Sequence, residues 1–359
     1  MSKILISGEW LWDHYQEACS SALVKLGHEV IKFGWQQHFF ERPAGRDPHF
    51  KSFMIQRQNK YLVGPLISGI NRDLISLASD TKPEIIWLYN DTHIFPRTIE
   101  KLRRDLPSTV LAQYANDNPW GKNQSAITWR HFKKAVPFFD INFYYRPSNE
   151  KDFEAAGARE TALLRSYYIP EDIYPIERHK IEDEFRSDVV FVGHFENDDR
   201  LDMLTEIVRA GFNLKVFGTA WDKPISRLPR DNPLRRLLPV RPARGEQYRK
   251  AICGSRIALA FLSKLNEDSY TRRSFEIPAM KTFMLSEYTD DLNSLLAEGK
   301  EAEYFRSKGE LMEKILYYLG HDDQIAEIAR CGYDRVRKDG HDVTSRMEQF
   351  MHRIQLVKK

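Results

Sequence analysis

Two carboxylates and two guanidinium groups stand close together in the segment 267–291, EDSYTRRSFEIPAMKTFMLSEYTDD. Asp268 and Glu276 are eight positions apart, Arg272 and Arg273 stand between them, and an apolar run typical of a core strand follows. Cationic side chains beside a helix start favour a diphosphate, because unpaired N–H groups and the helix dipole also attract anions. A carboxylate there can accept hydrogen bonds from ribose hydroxyls. The combination indicates a site for a nucleoside diphosphate that carries a further group.

Similar residue types follow two other strand-like runs in the second half of the chain. Gly193 ends the run VVFVG and is followed by Asp198, Asp199 and Arg200, while Lys264 follows the run IALAFLS. Ligands of open parallel sheets bind beyond the carboxyl ends of the strands. We therefore expect these side chains to lie at one site.

Short apolar runs alternate with longer amphipathic stretches along the whole chain. The strand-like runs include KILISG, PEIIWLYN and TVLAQYAN in the first half and SDVVFVGHF, FNLKVFG and TFMLSEY in the second. Helical stretches such as YQEACSSALVKLG and DDRLDMLTEIVRAG separate them. This alternation is typical of βαβ units and parallel sheets. The sequence therefore predicts an α/β protein of two domains of similar size that face each other across a central cleft.

The predicted domain boundaries follow changes in this pattern. The first domain is expected to span residues 1–175 and the second residues 188–342, with a terminal amphipathic helix at 343–359. The linker is placed at 176–187, because the chain around it is rich in charge, contains prolines and has little periodicity.

The composition excludes several classes of protein. The 359 residues are 42% hydrophobic and 29% charged with a net charge of +3, which is typical of a globular protein. No apolar run approaches the roughly 18 residues of a membrane span, and the N-terminus does not resemble a signal peptide, so we expect a cytoplasmic protein. The three cysteines are widely spaced and predict neither a disulfide framework nor a zinc site.

Three residues of the first domain are candidates for acceptor binding. The loop SGEWLWDHY after the first strand contains Trp10, which could stack on a sugar ring, and His14, which is either a base or a core residue. Asp117 in YANDNPW also follows a strand and is either a catalytic residue or part of an ordinary turn. The first loop is not a G-x-G-x-x-G fingerprint, which argues against a dinucleotide-binding oxidoreductase.

The segment 223–250 is strongly basic, with nine lysines and arginines against Asp231 and Glu246. One interpretation is a solvated loop broken by prolines. The other is attraction to an anionic acceptor or to a phospholipid surface, which would be a peripheral membrane contact. Nucleic acid is a poorer fit, because prolines and leucines rather than aromatic residues separate the charges.

The run that begins DSYTRRSFEIPAMK, together with VVFVGHFENDDRLDMLTEIVRAGFNLKVFGTAW, resembles the nucleotide-binding half of GT-B glycosyltransferases. It is most similar to the spore-maturation-protein-B-like branch of the group 1 (family 4-like) enzymes, through an Arg-x-Phe-Glu-x-Pro-Ala element that begins at Arg273. The resemblance covers residues 186–345 well, and the first half resembles the family more weakly, through YANDNPW and FDINFYYRPSNEKDFEAAGARETALLRSYYIP. It implies two Rossmann-like domains and a terminal helix that packs back on the first of them.

The resemblance also implies roles for individual residues. Glu276 would bind the ribose, Asp268 would lie near the donor sugar, and Arg200 would face the diphosphate. Such enzymes more often have a glutamate where this chain has Asp268. They also have a lysine about five residues after the arginine, where Thr205 stands here. The predicted donor-binding residues are Glu276, Arg273, Arg272, Lys264, Gly193 and Phe275.

The chemistry expected of such a site is stabilisation of a leaving group. Glycosyl transfer passes through an oxocarbenium-like state while negative charge grows on the departing diphosphate, and fixed cations stabilise that charge. Asp268, Arg200 and Asp117 are the candidate catalytic residues. Arginine and lysine can supply the positive charge, so we expect no metal and no cofactor. The resemblance alone implies retention of anomeric configuration.

Alternatives to this interpretation remain open at the level of sequence. Glu276 could cap a helix with Arg273 as a surface partner, and Arg200 could be a solvated helix charge. A sugar-nucleotide epimerase has the same fold, and a nucleotide-sugar-binding protein without turnover would need the same donor site. The base and sugar of the donor are not specified. The acceptor could be a glycan, a glycolipid or a small molecule, and the oligomeric state is undetermined.

Overall fold

The chain divides into two compact units, and the computed structural model describes residues 1–41, 49–50 and 52–358. The first unit comprises Met1–Ser166 together with Val343–Lys359, and the second comprises Tyr167–Asp342. The division therefore falls before Tyr167, and the predicted linker at 176–187 lies inside the second unit.

The first unit contains a six-stranded parallel sheet and a short antiparallel pair among the described residues. The strands are β1 (Lys3–Gly8), β2 (Glu29–Gly34), β3 (Phe40–Glu41), β4 (His49–Phe50), β5 (Ile85–Tyr89), β6 (Val110–Ala115), β7 (Ile141–Tyr144) and β8 (Thr161–Leu163). The parallel sheet has the order β2-β1-β5-β6-β7-β8, and β3 pairs with β4. Every residue of β5, β6 and β7 is buried, as expected for central strands that helices cover on both faces.

Six helices of the first unit precede the second unit in the described residues. They are α1 (Ala18–Lys25), α2 (Phe53–Tyr61), α3 (Pro65–Thr81), α4 (Pro96–Asp105), α5 (Ala126–Ala135) and α6 (Glu150–Ala155). Proline occupies the first position of α3 and of α4, where its missing N–H costs no hydrogen bond. The hydroxyl of Ser52 caps α2, and the hydroxyl of Ser125 caps α5.

The second unit contains a five-stranded parallel sheet. Its strands are β9 (Ser187–Val192), β10 (Leu214–Phe217), β11 (Ser255–Ala260), β12 (Phe283–Glu287) and β13 (Glu303–Phe305), in the order β10-β9-β11-β12-β13. Its helices are α7 (Arg200–Arg209), α8 (Asp222–Ser226), α9 (Glu246–Cys253), α10 (Arg273–Ala279), α11 (Asp290–Leu295), α12 (Lys308–Leu319) and α13 (Asp322–Lys338). In this sheet β9 and β11 are adjacent parallel strands, so the loops that follow them are neighbours.

The last helix, α14 (Val343–Val357), belongs to the first unit. The ring of Phe350 stacks on that of Trp87 in β5 at 4.3 Å between centroids, and it lies 5.0 Å from the ring of Phe143 in β7. Beyond the helix, Lys358 Nζ lies 2.9 Å from a carboxylate oxygen of Glu84. The α/β class with two parallel sheets, predicted from the alternating pattern, is confirmed. None of the helices in the described ranges is both long and apolar enough to span a bilayer.

Candidate functional site

Four of the seven non-glycine residues with positive φ in the described ranges follow strands, and the other three, Leu62, Lys82 and Lys281, follow helices. Trp10 follows β1 with φ of 53°, and Asn90 follows β5 with φ of 52°. In the second unit Ala220 follows β10 with φ of 66°, and Glu267 lies in the loop after β11 with φ of 52°. Residues other than glycine rarely adopt positive φ, and such positions concentrate at functional sites. Each sheet therefore has a candidate site at its carboxyl edge.

In the second unit, a buried carboxylate is held from two sides. The Glu276 side chain is 6% exposed, Arg272 Nε lies 2.8 Å from its Oε1, and the Tyr248 hydroxyl donates to its Oε2 at 2.7 Å. Burial raises the pKa of Tyr248 well above its ordinary value, and the negative charge of Glu276 adds to this. Tyr248 therefore keeps its proton and acts as a donor to the carboxylate.

Arg273 completes what we call the Glu276 cluster, which consists of Glu276, Arg272, Arg273 and Tyr248. Its charge opposes the rise in the pKa of Tyr248, and its guanidinium carbon lies 5.8 Å from the centroid of the Phe191 ring in β9. The cluster holds two cations and one carboxylate around a neutral phenol. Its net charge is therefore positive, which suits an anionic ligand.

Arg200, a predicted catalytic residue, is buried and bonded to residues of the loop after β9. Its side chain is 2% exposed and pairs with Asp198 through two bonds, Nε to Oδ1 at 2.7 Å and Nη2 to Oδ2 at 2.8 Å. Nη1 donates to the carbonyl of His194 at 3.0 Å. Burial would raise the pKa of Glu196, but the hydrogen bond from His194 and the charge of Arg200 hold it at about 2. Arg200 therefore braces the loop after β9, and its contact with a diphosphate stays a prediction.

Lys264 and Asp268 both lie in the loop after β11. Lys264 is exposed, and its Nζ lies 2.8 Å from Oε1 of Glu287 at the end of β12. The amide of Asp268 donates to the Ser263 carbonyl at 2.9 Å, and its side chain is half-buried. Water screens the charge of an exposed lysine, so the half-buried Arg272 and Arg273 are the stronger electrostatic contributors to the cluster.

Phe275, one of the predicted donor-binding residues, lies in the core of the second unit. It is fully buried, and its ring stacks on that of His341 at 4.4 Å. Helix α10 has seven residues, and all from Ser274 to Ala279 are buried, so little of its surface is open to a ligand. Phe275 therefore contributes by fixing α10, and with it Glu276.

Gly193 lies where two strands end side by side. Its amide donates to the Phe217 carbonyl at 2.8 Å, and its carbonyl accepts from the indole of Trp221 at 2.8 Å. Gly218, with φ of 151°, passes so close that a Cβ there would lie 1.9 Å from the Gly193 carbonyl oxygen. This approach requires glycine at 218 and leaves the backbone of Gly193 at the carboxyl edge of the sheet.

In the first unit, polar side chains gather where the adjacent strands β1, β5 and β6 end. Asn90 Nδ2 donates to Oδ2 of Asp117 at 3.2 Å. Burial raises the pKa of Glu9, and the negative charge of Asp117 raises it further. Glu9 is therefore a carboxylate that can take up a proton more readily than an exposed one, as a general base must.

Trp10 and His14, the other predicted acceptor-side residues, have partners within the first unit. The Trp10 indole donates to the Phe33 carbonyl at 3.1 Å, and Lys32 Nζ lies 5.1 Å from its ring centroid. The His14 ring packs edge-on against Tyr15 at 4.3 Å. The structure thus brings Asp117 together with Glu9, and the contacts of Trp10 and His14 given above are with other residues.

A buried carboxylate of the first unit, Asp91, supports the end of β5. It accepts hydrogen bonds from the Ser7 hydroxyl and from the His93 amide, the latter at 3.1 Å. Burial raises the pKa of Asp91 to about 6, although these hydrogen bonds oppose the rise. Burial also lowers the pKa of His93 to about 3, and its Nε2 donates to Oδ1 of Asn59 at 2.7 Å. Each group is therefore neutral over a range of pH in which an exposed aspartate or histidine would be charged.

We expect Asp91→Asn to stabilise the first unit at neutral pH. Between about pH 4 and pH 6 the folded wild type holds a proton that its unfolded chain has released, so its free energy of unfolding falls as the pH rises. An amide escapes this loss. Urea unfolding should show the advantage of the variant growing by about 3 kcal/mol from about pH 4 to pH 7, since one pKa unit corresponds to 1.36 kcal/mol. Asp73→Asn, on the exposed surface of α3, is the control. A pH-independent difference for Asp91→Asn would contradict the assignment.

Sequence reasoning missed three residues of these two edges: Tyr248, Glu9 and Asn90. Tyr248 lies on α9, 28 positions before Glu276, and nothing in its local pattern separates it from a core tyrosine. Glu9 and Asn90 directly follow strand-like runs, so the rule that ligands bind beyond carboxyl ends could have found them. In the ranges that the structure describes, no three His, Cys, Asp or Glu side chains are grouped as metal ligands.

Comparison with known proteins gives one match by sequence and several by structure. The family profile described as glycosyl transferase-like matches residues 200–352, which contain the Glu276 cluster. No curated protein matches the chain by sequence.

The structural likenesses extend over the whole chain. Sucrose-phosphate synthase from Thermosynechococcus elongatus superposes with a TM-score of 0.74 at 10% identity, covering 99% of each chain. HepE of Anabaena in complex with UDP-glucose gives 0.68 at 13% identity, over 99% of this chain and 100% of that one. α,α-Trehalose 6-phosphate synthase from Burkholderia multivorans gives 0.67 at 10% identity, over 99% of each. The chain therefore has the two-domain α/β fold of GT-B glycosyltransferases, and its residues 200–352 are glycosyl transferase-like in sequence.

Proposed function

We propose that the protein transfers a glycosyl group from a nucleoside diphosphate sugar to an acceptor hydroxyl. The observation that carries the proposal is the Glu276 cluster, which lies at the carboxyl edge of the second sheet and inside the glycosyl transferase-like residues 200–352. We assign the chain to the spore-maturation-protein-B-like branch as part of the same proposal.

The donor would use the two kinds of charge in the cluster separately. The ribose hydroxyls would donate to Glu276, whose two oxygens retain lone pairs beyond those that Tyr248 and Arg272 occupy. The diphosphate would lie against the guanidinium groups of Arg272 and Arg273. Negative charge grows on the diphosphate as the glycosidic bond breaks, and cations already in place stabilise that state more than the ground state.

The acceptor would bind at the carboxyl edge of the first sheet. As its oxygen forms the new glycosidic bond, its proton must pass to a base or to the departing phosphate. Asp117 and the less acidic Glu9 are the candidate bases of the first unit. Retention of configuration and independence from metal ions belong to the proposal, and transfer measured in EDTA tests the second.

Donor binding is the first experiment. Structures of HepE contain UDP and UDP-glucose, so UDP is the first probe, with GDP and ADP beside it. UDP at 100 times its Kd should add about 2.7 kcal/mol to the free energy of unfolding. Arg273→Ala should abolish the resulting thermal shift, and Arg209→Ala, an exposed arginine at the end of α7, should leave it intact. A folded wild type that none of the three nucleotides stabilises would refute the proposal.

Turnover separates the proposal from its two alternatives. Incubation with a UDP-sugar and a panel of acceptors should release UDP and form a glycoside. Conversion of the sugar nucleotide into its epimer without acceptor would indicate an isomerase instead. Binding without either reaction would indicate a nucleotide-sugar-binding protein.

A further inference from the structure

Helix α2 of the first unit presents large apolar side chains to solvent. Phe53 is 68% exposed and Met54 is 66% exposed, and Val63, just beyond the helix, is 50% exposed. Tyr61 lies on the same face, because residues seven apart on a helix are nearly in line. Contiguous exposed apolar side chains mark interaction sites in soluble proteins.

The same face is cationic. The Arg57 guanidinium lies 5.7 Å from the centroid of the Phe53 ring, and Lys60 Nζ lies 5.5 Å from that of Tyr61. The sequence from Ser52 to Arg72 contains no aspartate or glutamate. We call Phe53, Met54, Arg57, Lys60, Tyr61 and Val63 the α2 face. It combines apolar and positively charged groups in a segment that has no carboxylate of its own.

The opposite side of α2 is fixed to the unit. Asn59 accepts a hydrogen bond from His93 at 2.7 Å, and Gln58 accepts one from the Leu66 amide at 2.9 Å. Arg130 of α5 donates to the Tyr61 carbonyl at 2.6 Å. The exposed side chains are therefore held outward on a docked helix, and their exposure is not a product of fraying.

A basic groove of about 470 Å³ between α3 and α4 extends the charged surface. Its charged lining residues are Arg72, Arg97, Lys101, Arg104 and Glu100. Asp73 pairs with Arg72, and Asp105 pairs with Lys101 and Arg104. The groove adjoins α2, because His131 contacts both the Leu62 carbonyl, at 3.2 Å, and the ring of Phe95, which lines the groove. The cations of the groove outnumber its one carboxylate, so a weaker positive surface lies beside the α2 face.

We propose that the α2 face docks the first unit on a bilayer surface that carries anionic headgroups. Phe53 and Met54 would enter the boundary between headgroups and acyl chains, while Arg57 and Lys60 would reach the phosphates, as on interfacial amphipathic helices. Charge complementarity selects this occupant, because anionic lipid attracts juxtaposed basic residues within a Debye length. The groove cations add to the attraction without inserting.

The basic segment 223–250, the other candidate for a membrane contact, has positive charge but lacks the exposed apolar side chains. Arg235 bonds the carbonyls of Ser226 and Leu228, and Arg249 bonds that of Asp172. Within the described residues, none of the large apolar side chains that are exposed lies in this segment. It therefore offers a matched comparison: exposed charge without exposed apolar groups.

Vesicle flotation tests the proposal with the whole protein. Vesicles of phosphatidylcholine alone are compared with vesicles containing phosphatidylglycerol, at low and high salt. Wild type should float with the anionic vesicles and lose most of the binding at high salt. Arg57→Glu/Lys60→Glu should weaken binding by at least about tenfold, since each of the two basic residues near the surface contributes about fivefold. Phe53→Ser/Met54→Ser should weaken it by at least about tenfold as well, because two apolar side chains no longer enter the bilayer boundary. Arg227→Glu/Arg230→Glu makes the same charge change in the basic segment and should keep most of the binding.

Three outcomes would overturn the proposal. They are no binding at low salt, equal binding by the α2 variants, and loss of binding only in Arg227→Glu/Arg230→Glu. Gel filtration tests whether the α2 face instead binds a second copy of the chain. In that case the wild type would be a dimer, Phe53→Ser/Met54→Ser would be a monomer, and neither would bind vesicles. The thermal shift with UDP should be unchanged in the α2 variants, so failure of this inference is distinguishable from failure of the proposed function.

Discussion

Glu276→Ala is expected to abolish the thermal shift with UDP and to lower the free energy of unfolding by about 3 kcal/mol or more. The loss of stability follows because the Arg272 guanidinium and the buried Tyr248 hydroxyl would both lose the carboxylate that accepts from them, and removing one member of a buried charged network is costly. The loss of binding follows because alanine offers the ribose no acceptor. Urea unfolding measures the first effect, and calorimetric titration with UDP measures the second.

Two further variants separate charge from shape. Glu276→Gln keeps the size of the side chain and one acceptor oxygen, so it should fold well but bind UDP more weakly. Glu327→Ala removes the partner of Arg330 on the surface of α13 and should leave stability and binding unchanged. If Glu276→Ala folds and binds UDP as wild type does, the carboxylate is not part of a donor site.

Tyr248→Phe removes the hydrogen bond to the other oxygen of the same carboxylate. The ring remains, and only the hydroxyl that donates to Oε2 is lost. The expected weakening of UDP binding is therefore about tenfold, which corresponds to one hydrogen bond to a charged group. A larger effect on binding than that of Glu276→Gln would show that Tyr248 contacts the ligand directly and does more than orient Glu276.

Gly218→Ala is the second substitution for which we expect a large effect. The new Cβ would lie 1.9 Å from the Gly193 carbonyl oxygen, at a φ of 151° that side chains rarely adopt. One of the two strand ends must move, and the indole of Trp221, which donates to that same oxygen, would lose its partner. Together, backbone strain and overpacking should lower the free energy of unfolding by at least about 3 kcal/mol.

Gly211→Ala is the matched control for this effect. Gly211 also has positive φ, at 87°, but a Cβ at that position would meet no atom within 4 Å beyond its own chain neighbours. It should cost only the backbone term of about 1 kcal/mol. Equal losses in the two variants, measured by urea unfolding of the whole chain, would show that the close approach of Gly218 to Gly193 does not constrain the fold.

The sequence was sufficient for the sheets because burial on both faces leaves a plain signal. Runs such as PEIIWLYN and SDVVFVG have no polar alternation, and β5 and β9 fall within them. Glu276 could also be singled out from the sequence, since Arg272 and Arg273 lie within four positions of it.

The sequence could not show which side chains bind each other in the folded protein. Arg200 was predicted at the site by its place after β9, yet Asp198, two positions away, binds its guanidinium. Phe275 belongs to the Arg-x-Phe-Glu motif, but membership of a motif does not distinguish a ligand contact from a core contact. Tyr248 and Glu276 meet only because α9 and α10 pack in the same unit, and that contact depends on the tertiary fold.

Because α14 belongs to the first unit, the two units can complete their folds at different times during synthesis. The second unit is one uninterrupted segment, Tyr167–Asp342, and can complete its fold as soon as that segment has emerged. The first unit begins synthesis earlier but finishes later, because Phe350 is translated after the whole second unit. Until then the rings of Trp87 and Phe143 lack the partner that covers them. A nascent chain that has emerged from the ribosome as far as residue 342 would therefore carry a finished second unit and a first unit that chaperones can still recognise.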